Sequence, residues 1–110
     1  MSFDERLRDP KTDRLFEAML RLETVEEFYQ LFEDLCTIGE INTLAARFRA
    51  AEMLHRGATY DEIAEETGMS SATISRIKRF LLYGADGYVL ALERLAEAED
   101  AEDPTDDSTR

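Results

Sequence analysis

Residues 59–80 read TYDEIAEETGMSSATISRIKRF, and this stretch decides the fold. Its spacing is that of a helix-turn-helix, two short helices joined by a tight turn, and each small or apolar residue has a geometric task. Ile63, Met69, Ile74 and Ile77 stand where the two helices must bury side chains against each other and against the rest of the domain. Ala64 is small, as a close crossing requires. Gly68 follows the first helix where the chain needs a positive φ, which only glycine adopts cheaply. Ser70 is then a competent N-cap for the second helix.

That second helix is suited to enter a major groove. Its outward residues, Ser71, Ala72, Ser75, Arg76 and Arg79, are small at the N-terminal end and basic further along, and no acid lies between Ser70 and Leu82. The hydroxyls of Ser71, Thr73 and Ser75 can meet base edges or bridging waters, while Arg76 or Arg79 can bond guanine or clamp phosphate. Ser70, Ser71, Ala72, Thr73, Ser75, Arg76, Lys78 and Arg79 are therefore the expected DNA-binding residues. The first helix carries Asp61, Glu62, Glu65 and Glu66, an acidic face to be held away from phosphate.

A net charge of -12 runs against nucleic-acid binding, since Lys and Arg neutralising phosphate supply much of such affinity. The distribution removes the objection. Residues 37–82 hold six basic and six acidic side chains; the excess acid lies in the N-terminal half and in the final stretch, where Glu99, Asp100, Glu102, Asp103, Asp106 and Asp107 face only Arg110. At 110 residues one chain builds a thin core, which favours an oligomer. No apolar run approaches the roughly 20 residues of a membrane span, and no signal peptide is visible, so a cytoplasmic protein is expected. Cys36 is the only cysteine and His55 the only histidine, too few for a disulfide framework or a Cys/His metal cluster. No phosphate-cradling glycine loop, Ser/His/Asp set or spaced metal carboxylates stand out. No catalytic or metal-binding residues, and no enzyme, are expected.

Outward from the motif the pattern is helical throughout, giving an all-α fold. Residues 1–11 alternate charge around Pro10 and read as a frayed lead-in. A helical domain then spans 12–97. Leu15, Phe16, Met19, Leu20 and Leu22 mark the first helix; Thr24 and Glu27 form a capping-box pattern opening the second. There Val25, Phe28, Tyr29, Leu31, Phe32 and Leu35 cover a wider arc than the stripe of a surface helix, an apolar surplus that wants a partner. A third helix is expected from about Glu40 to His55, with Ile41, Leu44, Ala45, Phe48, Ala51 and Met53 inward and Gly57 as its C′ residue. After turns at Gly84 and Asp86-Gly87, a last helix is expected from Tyr88 to Glu97 with Val89, Leu92 and Leu95 inward. Residues 98–110, acidic and without a large apolar side chain, are expected to be a disordered tail.

With the motif and the preceding helix in view, TIGEINTLAARFRAAEMLHRGATYDEIAEETGMSSATISRIKRFL resembles the Trp repressor family, and within it the Trp-repressor-like YerC/YecD proteins. ARFRAAEMLHRG is similar to the helix before the repressor's motif and SSATISR to the start of its recognition helix; the likeness covers about residues 12–95. The resemblance implies an intertwined homodimer of six-helix subunits that binds double-stranded DNA as a transcriptional regulator, as a repressor in the family's usual mode. It also implies an effector pocket at Arg47, Arg76, Ile77 and Phe80. Arg47 and Arg76 match the two arginines that hold tryptophan in the repressor. Ile77 stands in place of a glycine, however, and Phe80 in place of a serine, adding bulk where the indole belongs. Asp61 replaces a basic residue early in the first motif helix. Tryptophan is therefore not the expected effector, no cofactor is expected, and the identity of any other small-molecule effector stays open.

Single residues have plainer readings beside these. Arg47, near four acidic motif residues, can equally make a structural ion pair. His55 suits the C-terminal turn of its helix, and Cys36 reads as apolar filler. The alternative for the whole chain is a helical protein-protein interaction module without DNA binding.

Overall fold

The computed structural model describes residues 3–102, and among these every regular element is helical. A 3-10 turn, Glu5–Leu7, precedes six α-helices: α1 Pro10–Met19, α2 Val25–Leu35, α3 Ile38–His55, α4 Tyr60–Thr67, α5 Ser71–Tyr83 and α6 Gly87–Glu102. The chain divides into two units between Arg47 and Phe48, within α3.

Caps written in the sequence set most of the boundaries. Asp9 accepts from the Lys11 N–H, and Pro10 occupies the first turn of α1, where its missing N–H costs nothing. The helix therefore starts at Pro10 and the chain before it forms a turn, where a frayed lead-in through residue 11 was expected. Thr24 caps α2 by accepting from the Glu27 N–H, but the Glu27 carboxylate accepts from Glu23 rather than from Thr24. Thr37 and Glu40 cap each other reciprocally at the start of α3, so α3 begins two residues before the expected Glu40.

In the N-terminal unit neither α1 nor α2 buries a residue. Leu20 is 81% exposed, Val25 67% and Tyr29 68%. Phe3, Leu7, Phe16 and Leu20 line an open apolar depression.

The C-terminal unit holds the core. Ala50 and Ala51 of α3 pack with Ile63 of α4 and with Ile74 and Ile77 of α5, flanked by Met53, Leu54, Ala64, Met69 and Tyr88. Two alanines on α3 let the motif helices come close: Ala51, expected inward, is buried together with Ala50, whereas Leu44 and Ala45, also expected inward, are exposed. On α6 Leu92 is buried and Val89 half-buried, but Leu95 is exposed. Helix α6 runs to Glu102, past the expected end at Glu97. Residues 98–102 lack apolar bulk, but Ala98, Glu99, Ala101 and Glu102 are strong helix formers, and extending an existing helix avoids the cost of nucleation. The rest of the expected tail, 103–110, lies outside the described residues.

Candidate nucleic-acid interface

The turn between α4 and α5 is built as its residues require. Thr59 and Glu62 form a complete capping box: the Thr59 hydroxyl accepts from the Glu62 N–H and the Glu62 carboxylate from the Thr59 N–H. Gly68 ends α4 at φ 75°. The Thr67 hydroxyl donates to the Ile63 carbonyl at 2.7 Å and accepts from the Met69 N–H at 3.2 Å, stitching the turn closed. Ser70 caps α5, its hydroxyl accepting from the Thr73 N–H and donating to the Thr73 hydroxyl oxygen.

Helix α5 then sorts its side chains by period. Ile74, Ile77 and Leu81 are buried, whereas Ser71, Ala72, Ser75, Arg76, Lys78 and Arg79 are exposed. At 100° per residue the exposed set occupies one continuous face. Of the eight residues expected to meet DNA, these six are displayed together. The other two, Ser70 and Thr73, have their hydroxyls joined in the cap, and Thr73 is half-buried. The Lys78 ammonium lies 5.9 Å from the centre of the Tyr60 ring on α4, a cation–π distance that leaves its charge at the junction of the two motif helices.

The acids of α4 are divided. Asp61, Glu62 and Glu65 are exposed, and Glu66 turns to α3, accepting from Nε of Arg49 at 2.6 Å. Nη1 of Arg49 donates to Glu52 at 3.1 Å, and the other Glu52 oxygen accepts from Arg56 at 3.0 Å. The ion-pair role weighed for Arg47 thus falls to Arg49, which the sequence reading passed over. The signal was available: Arg49, Glu52 and Arg56 stand three and four apart on one helix, the spacing of side chains that meet. The Arg49 guanidinium holds the Glu66 carboxyl below its ordinary range, and Glu66 raises Arg49 in return. A carboxylate with a lowered pKa contributes stability above its unfolded pKa and loses it as pH falls through the folded value. The pair therefore persists through the upper part of the ordinary glutamate range.

The residues expected to form an effector pocket lie on α3 and α5. Arg47 belongs to the N-terminal unit; Arg76, Ile77 and Phe80 belong to α5. Ile77, at 4% exposed, is part of the core, but Phe80 is 52% exposed and borders a shallow depression with Ala85, Gly87 and Tyr88.

Among the described residues, six α-helices with a capped helix-turn-helix and one polar, basic exposed face on α5 place the chain in the class of helix-turn-helix proteins. The family model for the Trp repressor protein matches residues 11–96, and the chain belongs to that family. It is 52% identical over 95 residues to the uncharacterized protein YerC of Bacillus subtilis (strain 168), covering 86% of this chain and 91% of that protein. A solved structure of a TrpR-like protein from Eubacterium eligens ATCC 27750 superposes with a TM-score of 0.80 at 48% identity, covering 84% of this chain and 96% of the other. A chain from Staphylococcus aureus, named as a candidate Trp repressor, gives 0.78 at 49% identity, covering 84% and 92%. Among the described residues no helix is long and apolar enough to cross a membrane.

Proposed function

We propose that the protein is a sequence-specific DNA-binding transcriptional regulator, a repressor by family habit, working as a homodimer with α5 in the major groove. The carrying observation is the exposed face of α5: Ser71, Ala72 and Ser75 near the N-terminal end, and Arg76, Lys78 and Arg79 beyond them. Small side chains let the helix backbone approach base edges closely, and the cations further along meet phosphate. The homodimer is supported by α1 and α2, in which no residue is fully buried within the chain, and by membership of a family built on dimers. Two recognition helices would then read half-sites about 34 Å apart.

Selecting bound sequences from a random duplex pool tests this reading. A palindromic consensus whose binding weakens steeply with salt is expected; no enrichment, with a duplex shift absent even at low salt, would leave the protein-interaction reading. The exposed acids Asp61, Glu62 and Glu65 on α4 would then be the surface for a basic partner.

DNA binding in this proposal needs no tryptophan. Ile77 of α5 is packed into the core, where the family's pocket needs a slot, and forcing a ring against a filled site typically costs about 1–3 kcal/mol. Calorimetry with millimolar tryptophan should give no binding heat, and duplex affinity should be equal with and without it. Micromolar binding that tightens the DNA complex would refute this.

A further inference from the structure

Side-chain hydrogen bonds and ion pairs among the described residues span five positions or fewer with one exception, Arg49 with Glu66, seventeen apart. This pair joins α3 to the last turn of α4, immediately before Thr67 and Gly68 lead into the recognition helix. The guanidinium is itself oriented: Glu52, one turn along α3, accepts from Nη1 while Glu66 accepts from Nε. A planar fork held at two edges fixes direction as well as distance. The apolar contacts around it do not, because burial of Ala50, Ala51, Ile63 and Ile74 is favourable over a range of small rotations. Both partners remain partly exposed, the Arg49 side chain 39% and that of Glu66 46%. An ion pair so exposed contributes little to global stability.

We propose that Arg49 and Glu66 are positioning residues, a tether between α3 and the end of α4 that sets the angle at which α5 is presented to DNA. The inference rests on the DNA-binding reading, and charge gives it a test in which the two explanations have opposite signs. Replacing Glu66 by Gln removes one negative charge, so if charge alone acts, DNA binding tightens. If the tether acts, binding weakens. Glu65, exposed on the same helix and only one residue away, is the control.

Against a selected duplex, Glu65→Gln should bind slightly tighter than the wild type, and Glu66→Gln roughly threefold to tenfold weaker. The salt slope of Glu66→Gln should be unchanged, because no phosphate contact is lost. Adding Arg49→Gln to Glu66→Gln should weaken binding less than Arg49→Gln alone does to the wild type, as expected for two ends of one link. Melting temperatures should stay close to that of the wild type. A Glu66→Gln variant that tightens binding as Glu65→Gln does would overturn the tether and leave the DNA-binding reading intact. If the wild type shifts no duplex, that reading fails and hydrogen exchange decides the tether by itself. Faster exchange at the α4 amides in Glu66→Gln than in Glu65→Gln supports it, and equal exchange overturns it.

Discussion

At the scale of single residues, Ser71 and Arg79 both lie on the exposed face of α5, yet the proposed reading gives them different work. Ser71 is in the first turn, where a side chain two atoms long leaves the backbone close to base edges, and Arg79 is two turns further on with a reach suited to phosphate. Arg79→Ala is expected to weaken binding to all duplexes alike and reduce the salt slope by about one unit. Ser71→Arg should change which sequences are selected while the chain stays folded, since the position is exposed. Paired duplex-binding isotherms at several salt concentrations read both effects, and if neither variant differs from the wild type, the face assigned to DNA is the wrong one. The same scale shows where sequence spacing stops short. Ser70 and Thr73 were legible as small hydroxyl residues on the recognition helix; that each occupies the other's hydroxyl depends on a cap geometry that residue type alone does not specify. Arg47 and Arg49 are equally plausible ion-pair partners by composition, and only the phase of α3 chooses Arg49.

Among the elements, the order of helices and the exact turn of the motif were legible because local chemistry fixes them. Thr59, Glu62, Gly68 and Ser70 each satisfy or relieve a specific backbone requirement, and such requirements are short-ranged. The inward faces of α3 and α6 were less legible. Leu44 and Leu95 fit the apolar period but are exposed; Leu44 shares its face of α3 with the buried Ala51 seven residues on, so a matching period marks a face without saying how far along the helix its cover extends. The end of α6 was misread for a related reason: lack of apolar bulk argues against burial, not against helix. Gly84 offers a sharp test of the α5 terminus. Its N–H donates to the Phe80 carbonyl at 2.9 Å, and a Cβ there would stand 2.5 Å from that same oxygen. Backbone cannot yield as a flexible side chain does, so Gly84→Ala should destabilise by about 1–3 kcal/mol, as overpacking does. A Cβ at Gly68 meets nothing within 4 Å, and Gly68→Ala carries only its left-handed backbone cost of about 1 kcal/mol. Urea unfolding of the two variants should rank Gly84→Ala as the more damaging; equal or reversed losses would mean that the α5 terminus relaxes freely.

For the whole molecule, the decisive imbalance is between where the apolar residues are and what they cover. The buried core consists of a few residues from α3 to α6, led by Ile63 and Ile74, which is small for a 110-residue chain. Meanwhile Leu20, Val25, Tyr29, Leu35 and Ile38 in the N-terminal unit, with Leu82, Tyr83 and Leu90 beyond, remain exposed. Soluble monomers rarely expose so many large apolar side chains in consecutive elements, and burying each Val or Leu contributes about 1.5–3 kcal/mol. A second copy supplies matching surfaces without any other gene product, and a two-fold axis makes the contact self-complementary. The chain should therefore be an obligate homodimer whose unfolding midpoint rises with protein concentration, as expected when folding and association are one step. Val25→Glu, placing a charge on an exposed helix position that buries nothing within its own chain, should be harmless to a monomer. In the dimer it should cost most of the folded population at micromolar concentration. Sedimentation across a dilution series decides between them: a folded monomer that persists on dilution, or a Val25→Glu chain as stable as the wild type, would sink the homodimer.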